Sequence, residues 1–123
     1  ARFQMVDITG DIRKAVRDSE VTSGFCLVFV PHTTAAVTIN ENADPDVPRD
    51  LLTGLDKFIP LHDNYRHLEG NAAAHIKASL VGASEQIIIE KGELVLGTWQ
   101  SVFFCEFDGP RTRRVLVRVI RNV

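Results

Sequence analysis

Four groups of side chains in this sequence have types and spacings suited to chemistry. The first is Pro31-His32-Thr33-Thr34, directly after the apolar run 25–30. A rigid strand end presents side chains to a cleft, so His32 is a candidate metal ligand or general base, with Thr33 beside it as a substrate contact. The plainer role for His32 is a loop histidine held by a hydrogen bond. The second group is His67 and His75, one just before a helical apolar pattern and one on its second turn. No C-x2-C pair or H-E-x-x-H motif closes a zinc site locally. Imidazoles from His32, His67 and His75, gathered by tertiary folding around an open fourth position, would nevertheless match a catalytic zinc layout. His62, two residues past Pro60 in a polar stretch, reads as solvated.

The third group is acidic: Asn40-Glu41-Asn42-Ala43-Asp44-Pro45-Asp46, then Asp50. Asp46 and Asp50 stand at i,i+4 and share a helix face. Oxygen groups at this density can hold Mg²⁺ or orient a substrate hydroxyl. Helix capping explains Asp44 and Asp46 equally well, Asp50 less well and Glu41 not at all. Glu41 abuts a strand end, a better place for a general acid or base. The fourth group is Thr98-Trp99-Gln100 with Glu106-Phe107-Asp108-Gly109-Pro110-Arg111. In a regular strand Glu106 and Asp108 share one side, and Cys105 and Phe107 the other. Carboxylates beside Arg111, Arg113 and Arg114 read either as an anion pocket, since guanidinium forks grip phosphate, or as a solvated salt-bridge face. Asn71, after Gly70 at a helix start, is a second phosphate candidate. Trp99 can stack on a heteroaromatic ring or simply pack.

Positioning these groups requires a definite set of elements. A strand around residues 3–8 leads to Thr9 as a helix cap, and Ile12, Ala15 and Val16 recur at helical spacing over residues 10–20. The near-continuous apolar run 25–30 reads as a strand covered on both faces, and the alternating stretch 35–40 as a half-buried one. Asp44-Pro45-Asp46 opens a second helix, whose Val47, Leu51, Leu52, Leu55, Phe58 and Ile59 follow a 3.6 period until Pro60. Asn71 caps a third, with Ala72, Ala73, Ile76 and Leu80 inward and Gly82 beyond its end. Strands follow at 86–89 and 94–96, joined by Lys91-Gly92, then at 102–108 and 115–120 with Gly109-Pro110 as the turn between. The order β-α-β-β-α-α-β-β-β-β implies an α+β fold, with mostly antiparallel sheets and two to three helices.

The 123 residues suit one domain, 1–123. Fourteen Lys+Arg against sixteen Asp+Glu give a net charge of −2, which disfavours nucleic acid as a partner. The longest apolar run has six residues, whereas a membrane helix needs about 20, so no membrane partner is expected. Cys26 and Cys105 lie in apolar runs and read as buried, reduced thiols of a cytoplasmic protein.

Three long blocks now fall into place: His32-Thr-Thr-Ala-Ala-Val-Thr-Ile-Asn-Glu-Asn-Ala-Asp-Pro-Asp-Val, Glu69-Gly-Asn-Ala-Ala-Ala-His-Ile-Lys-Ala-Ser-Leu-Val-Gly, and Leu96-Gly-Thr-Trp-Gln-Ser-Val-Phe-Phe-Cys-Glu-Phe-Asp-Gly-Pro-Arg. Together they resemble the signature blocks of the YjbQ-like family, also called secondary thiamine-phosphate synthase, over essentially the whole chain. The resemblance implies a sandwich-like arrangement of about seven strands and a homotrimer. It implies a divalent metal, zinc foremost, at His32, His67 and His75, with Mg²⁺ possible alongside a diphosphate substrate. It carries acidic catalytic roles onto Glu41, Asp46, Asp50, Glu106 and Asp108, and substrate or phosphate contacts onto Thr33, Asn71, Trp99 and Arg111. The implied reaction joins a hydroxymethylpyrimidine diphosphate to a thiazole phosphate and releases pyrophosphate. Two alternatives stand beside this phosphorylated small-molecule transferase: a metal-dependent hydrolase with Glu41 or Asp108 as base, and a non-catalytic trimeric binding module with structural histidines.

Overall fold

Period and punctuation in the sequence translate into ten elements in the computed structural model, which describes residues 1–123. They are β1 (Gln4–Asp7), α1 (Thr9–Ser19), β2 (Ser23–Phe29), β3 (Ala35–Glu41), α2 (Asp46–Phe58), α3 (Ala72–Val81), β4 (Ser84–Glu90), β5 (Glu93–Leu94), β6 (Gln100–Glu106) and β7 (Leu116–Arg121). The strands form two sheets, β1-β6-β3 and β5-β4-β2-β7. Every pairing is antiparallel, so the fold is α+β as expected.

The main core lies between the sheets and under α1. Ile12 and Val16 of α1 meet Cys26 and Val28 of β2, Val37 of β3, Ile87 and Ile89 of β4, and Val102 and Phe104 of β6. A second cluster covers the opposite face of β3 and β6, where Ala74 and Ala78 of α3 pack on Ala36, Phe103, Cys105 and Phe107. β6 is therefore the strand buried on both sides, and residues 102–108 are buried without interruption. β2 departs from its expected double coverage. Its buried residues alternate (Gly24, Cys26, Val28), and Phe29 is partly exposed, because no helix lies on that outer face.

Three local expectations are corrected. Thr9 is not the cap of α1; it is the first helical residue. Its N–H and hydroxyl both donate to Asp7 Oδ1, at 2.9 and 2.6 Å, while its hydroxyl oxygen accepts the Val102 N–H at 2.8 Å. α2 buries none of its own residues, and Phe58 is 81% exposed. In α3 the buried face is Ala73, Ala74, Lys77 and Ala78, with Ile76 and Leu80 exposed. Small residues let α3 approach β3 closely. The Lys77 stem is buried, with Nζ 3.3 Å from Asp56 Oδ1 and 4.1 Å from the centre of the Phe3 ring. Both cysteines are buried and free. No helix is long and apolar enough to cross a membrane.

Candidate functional site

Strand direction decides which loops meet. β2 ends at Phe29 and β3 begins at Ala35, so the turn 30–34 sits at one end of both sheets. β6 runs antiparallel to β3 and brings Glu106 opposite Ala35 at that same end. The N-terminus of α3, the preceding loop and the segment 109–114 close around it. The result is an open cleft of about 440 Å³. His32, Thr33, Thr34, His67, Glu69, Asn71, His75, Arg111 and Arg113 line it together with Pro31, the one apolar residue among them.

The cleft thus gathers His32, His67 and His75 from three separate segments. The His67 and His75 rings meet edge to face, with centroids 5.2 Å apart. His67 Nε2 lies 3.9 Å from Glu69 Oε2. His32 is differently engaged: its Nε2 accepts the Arg114 N–H at 2.9 Å. That bond commits the lone pair a metal would need and leaves Nδ1 to carry the proton. No three His, Cys, Asp or Glu side chains are arranged here to hold a metal ion. The donor chemistry suits zinc, but the present geometry does not fit a three-histidine ligand set.

Behind the cleft wall lies a layer of paired charge. Arg113 donates from Nε to Glu106 Oε1 at 2.7 Å and from Nη2 to Glu106 Oε2, and also to Thr34 Oγ1 at 2.8 Å. Burial alone would raise the Glu106 carboxyl. The hydrogen bonds from Arg113 and the Asp108 N–H, with the Arg113 charge, outweigh that effect and hold it below its ordinary value. The hydrogen bonds between Arg113 and Glu106, helped by the charges of Glu106 and Asp108, raise Arg113. Asp108, just past the end of β6, binds three segments at once. Its Oδ2 accepts from Asn71 Nδ2 at 2.8 Å and Arg111 Nη2 at 3.0 Å, and its Oδ1 from Arg2 at 3.3 Å. Asn71 occupies the cap position of α3 without capping it, and its buried Oδ1 has no partner. The Asn71 carbonyl accepts the Ala74 N–H at 3.1 Å and the His75 N–H at 3.4 Å, so the start of α3 is closed by backbone rather than by the Asn71 side chain.

Several expected site residues lie elsewhere. Glu41 pairs with Gln100 at the far end of β3, roughly 20 Å along the strand from the cleft. Asp46 faces solvent and pairs with Arg49 at 3.5 Å, while Asp44 accepts the Asp46 N–H at 2.9 Å in a capping role. Asp50 is exposed on α2. Trp99, 63% exposed, adjoins Gln100 at the same distant end. Glu106 and Asp108 are present but act through Arg113, Asn71 and Arg111 rather than facing the cleft. His62 is exposed, as read from the sequence. Arg113, read from the sequence as part of an anion pocket, does line the cleft but is committed to Glu106 and Thr34, and Glu69 joins the lining without a role assigned to it from its type. Arg2 gave no signal, because its partner is 106 positions away.

A small two-sheet α+β protein with a predominantly polar, histidine-rich cleft at one sheet end is the class this architecture defines. The chain belongs to the family described as UPF0047 protein YjbQ-like, matched over residues 1–122. It is 52% identical to the UPF0047 protein YugU of Bacillus subtilis, covering 97% of this chain and 91% of that one. It is 54% identical to a UPF0047 protein of Methanocaldococcus jannaschii, covering 97% and 86%. Among solved structures, an uncharacterised conserved protein of the same family from Clostridium acetobutylicum superposes with a TM-score of 0.96 at 59% identity, covering 98% and 93%. A protein of unknown function from Sulfolobus solfataricus superposes with a TM-score of 0.95 at 36% identity, covering 99% and 90%.

Proposed function

We propose that the chain is an enzyme acting on phosphorylated small molecules in the His32–His67–His75 cleft, a transferase resembling secondary thiamine-phosphate synthase. One observation carries the reading: a predominantly polar cleft in which three imidazoles, Asn71 and Arg111 converge. In the proposed reaction the methylene carbon of the pyrimidine diphosphate loses its bond to the diphosphate oxygen and gains one to the thiazole nitrogen. Pyrophosphate leaves with the electron pair of the broken bond. The need is for donors at the departing oxygens. Arg111, whose side chain is half exposed while Nε and Nη2 stay on Asp108, keeps Nη1 for that task. The imidazoles of the cleft supply the rest. Asp108 and Glu106 serve as positioning residues for Arg111 and Arg113.

The test is a coupled assay for thiamine phosphate with Mg²⁺, comparing wild type with His32→Ala and Arg111→Gln. Turnover lost in both folded variants supports the proposal. Turnover no greater than that of His32→Ala removes it, and histidine variants that unfold would assign the cleft to a structural binding module.

A metal-dependent hydrolase is the second reading, favoured by the ring contact between His67 and His75 with Glu69 close by. Zinc, or Mg²⁺ with a diphosphate substrate, would require His32 to release the Arg114 N–H. Metal analysis of untagged protein against a His67→Ala/His75→Ala variant separates the readings. A homotrimer and a cytoplasmic setting complete the proposal. Exposed Phe58, Leu80 and Trp99, and the free buried thiols, are the features that support them.

A further inference from the structure

A second concentration of charge lies at the opposite end of β2. Arg13 and Arg17 stand one turn apart on α1 and share a face. The turn Lys91-Gly92 between β4 and β5 is fastened beside them, with the Gly92 N–H donating to Thr22 O at 3.0 Å. Arg13, Arg17 and Lys91 line a cleft of about 390 Å³ in which Glu93 is the sole carboxylate. Three cations against one anion give the cleft a charge of +2, on a chain whose net charge is −2.

Two independent features set this corner apart. None of the three cations is ion-paired. The cations of the histidine cleft, by contrast, are tied to Asp108 and Glu106, and Lys14 on α1 itself pairs with Asp18 at 2.7 Å. Like charges gathered without an ion pair cost stability, which Glu93 in the same cleft offsets only in part. The second feature is backbone strain. Lys91 holds φ +53 in a two-residue hairpin turn, where asparagine or glycine fits more cheaply. A lysine in that conformation costs on the order of 1 kcal/mol or more, and it lines the same cleft as the α1 pair.

We propose that this corner is a second ligand site, for a small molecule bearing a di- or triphosphate. Two guanidinium forks can each take a phosphate edge-on, and the Lys91 ammonium supplies a point charge. A multiply charged phosphate chain matches the +2 cleft and its size. The residues between Thr22 and His32 include the whole of β2, so the site lies roughly 20 Å from the histidine cleft. It therefore binds without competing for that cleft, and its existence does not depend on the reaction proposed there.

The experiment is calorimetric titration with inorganic tripolyphosphate, with the amide signals of Lys91 and Gly92 followed by NMR. The proteins are wild type, Arg13→Gln/Arg17→Gln, Lys91→Asn and Arg111→Gln. The α1 arginines are exposed, and asparagine tolerates the same turn, so all variants keep the fold at this corner. In wild type the Lys91 and Gly92 amides shift saturably, and added salt weakens the response. Arg13→Gln/Arg17→Gln abolishes that shift, and Lys91→Asn weakens binding at the corner by roughly tenfold, the loss of one charge-assisted hydrogen bond. Arg111→Gln leaves it intact. Unshifted Lys91 and Gly92 amides in wild type, or corner binding unaffected by the α1 and Lys91 substitutions, would overturn the proposal and leave the histidine cleft untouched.

Discussion

Replacing Glu106 by Gln tests whether the paired charge behind the cleft holds the fold at this end. Glu106 is 6% exposed, and Arg113 is mostly buried against it. Gln can still accept the Asp108 N–H that Glu106 Oε2 now accepts at 3.0 Å, but its amide would face the guanidinium. Removing one partner of a buried pair costs about 3–5 kcal/mol. Arg113 keeps Thr34 Oγ1 at 2.8 Å and Thr34 O at 3.4 Å, which places the expectation near the lower end, about 3 kcal/mol. With an unfolding entropy of about 2.1 cal/mol/K per residue over 123 residues, or roughly 0.26 kcal/mol/K, that is a fall in Tm of about 12 °C. Arg113→Met strands the carboxylate instead and has a comparable cost. The double variant Glu106→Gln/Arg113→Met, with neither charge left, should be no worse than either single one. The pH dependence has a definite sign. The folded Glu106 carboxyl lies below its ordinary value of 4.5, so its stabilisation is complete above that pH and is lost as pH falls through the folded value. Thermal melts of the four proteins should show that acid-side loss in wild type and its reduction in Glu106→Gln. Strict additivity of the single variants, or a Glu106→Gln melt indistinguishable from wild type, refutes the reasoning.

Further outcomes follow from other contacts. Gly24→Ala should cost about 3 kcal/mol or more, read from the melting curve, because a new Cβ would collide with the Ile120 carbonyl of β7. Lys77→Met should cost under about 1 kcal/mol, since it keeps the buried stem and frees a half-exposed Asp56, whereas Lys77→Ala opens a cavity costing about 2–3 kcal/mol in urea denaturation. Trp99→Ala should leave turnover near the wild-type level, because Trp99 lies at the far end of the sheet; a loss would bring another copy's Trp99 to the cleft.

Element order was legible because it rests on local patterns: the 3.6 period of α1, the Lys91-Gly92 turn, and Gly82 closing α3 at φ +105. The face α3 buries was not. Ile76 and Leu80 outweigh Ala74 and Ala78 in apolar area, but only the alanines allow the close approach to β3 seen here. Lys77 is inside because Asp56 and Phe3 meet it, and neither is visible from its own helix. At the site, the meeting of His32, His67 and His75 was one of two readings their types allowed, and the one the family resemblance implied. The distance of Glu41 and Trp99 was not legible, because it follows from the direction of β3 against β6, a non-local property. Asp108 was picked out for its charge, but its role as a shared acceptor depends on Arg2 and Asn71 arriving from elsewhere.

That shared carboxylate ties the first strand to the cleft by linkage. Arg2 precedes β1, Asn71 begins α3 and Arg111 follows β6, and all three meet on Asp108. A ligand that draws Arg111 or Asn71 toward itself changes the hold on Arg2. By thermodynamic reciprocity, whatever loosens β1 changes ligand affinity by the same factor. Deuterium uptake at Met5 and Val6 thereby becomes a remote gauge of occupancy in a cleft those residues never touch.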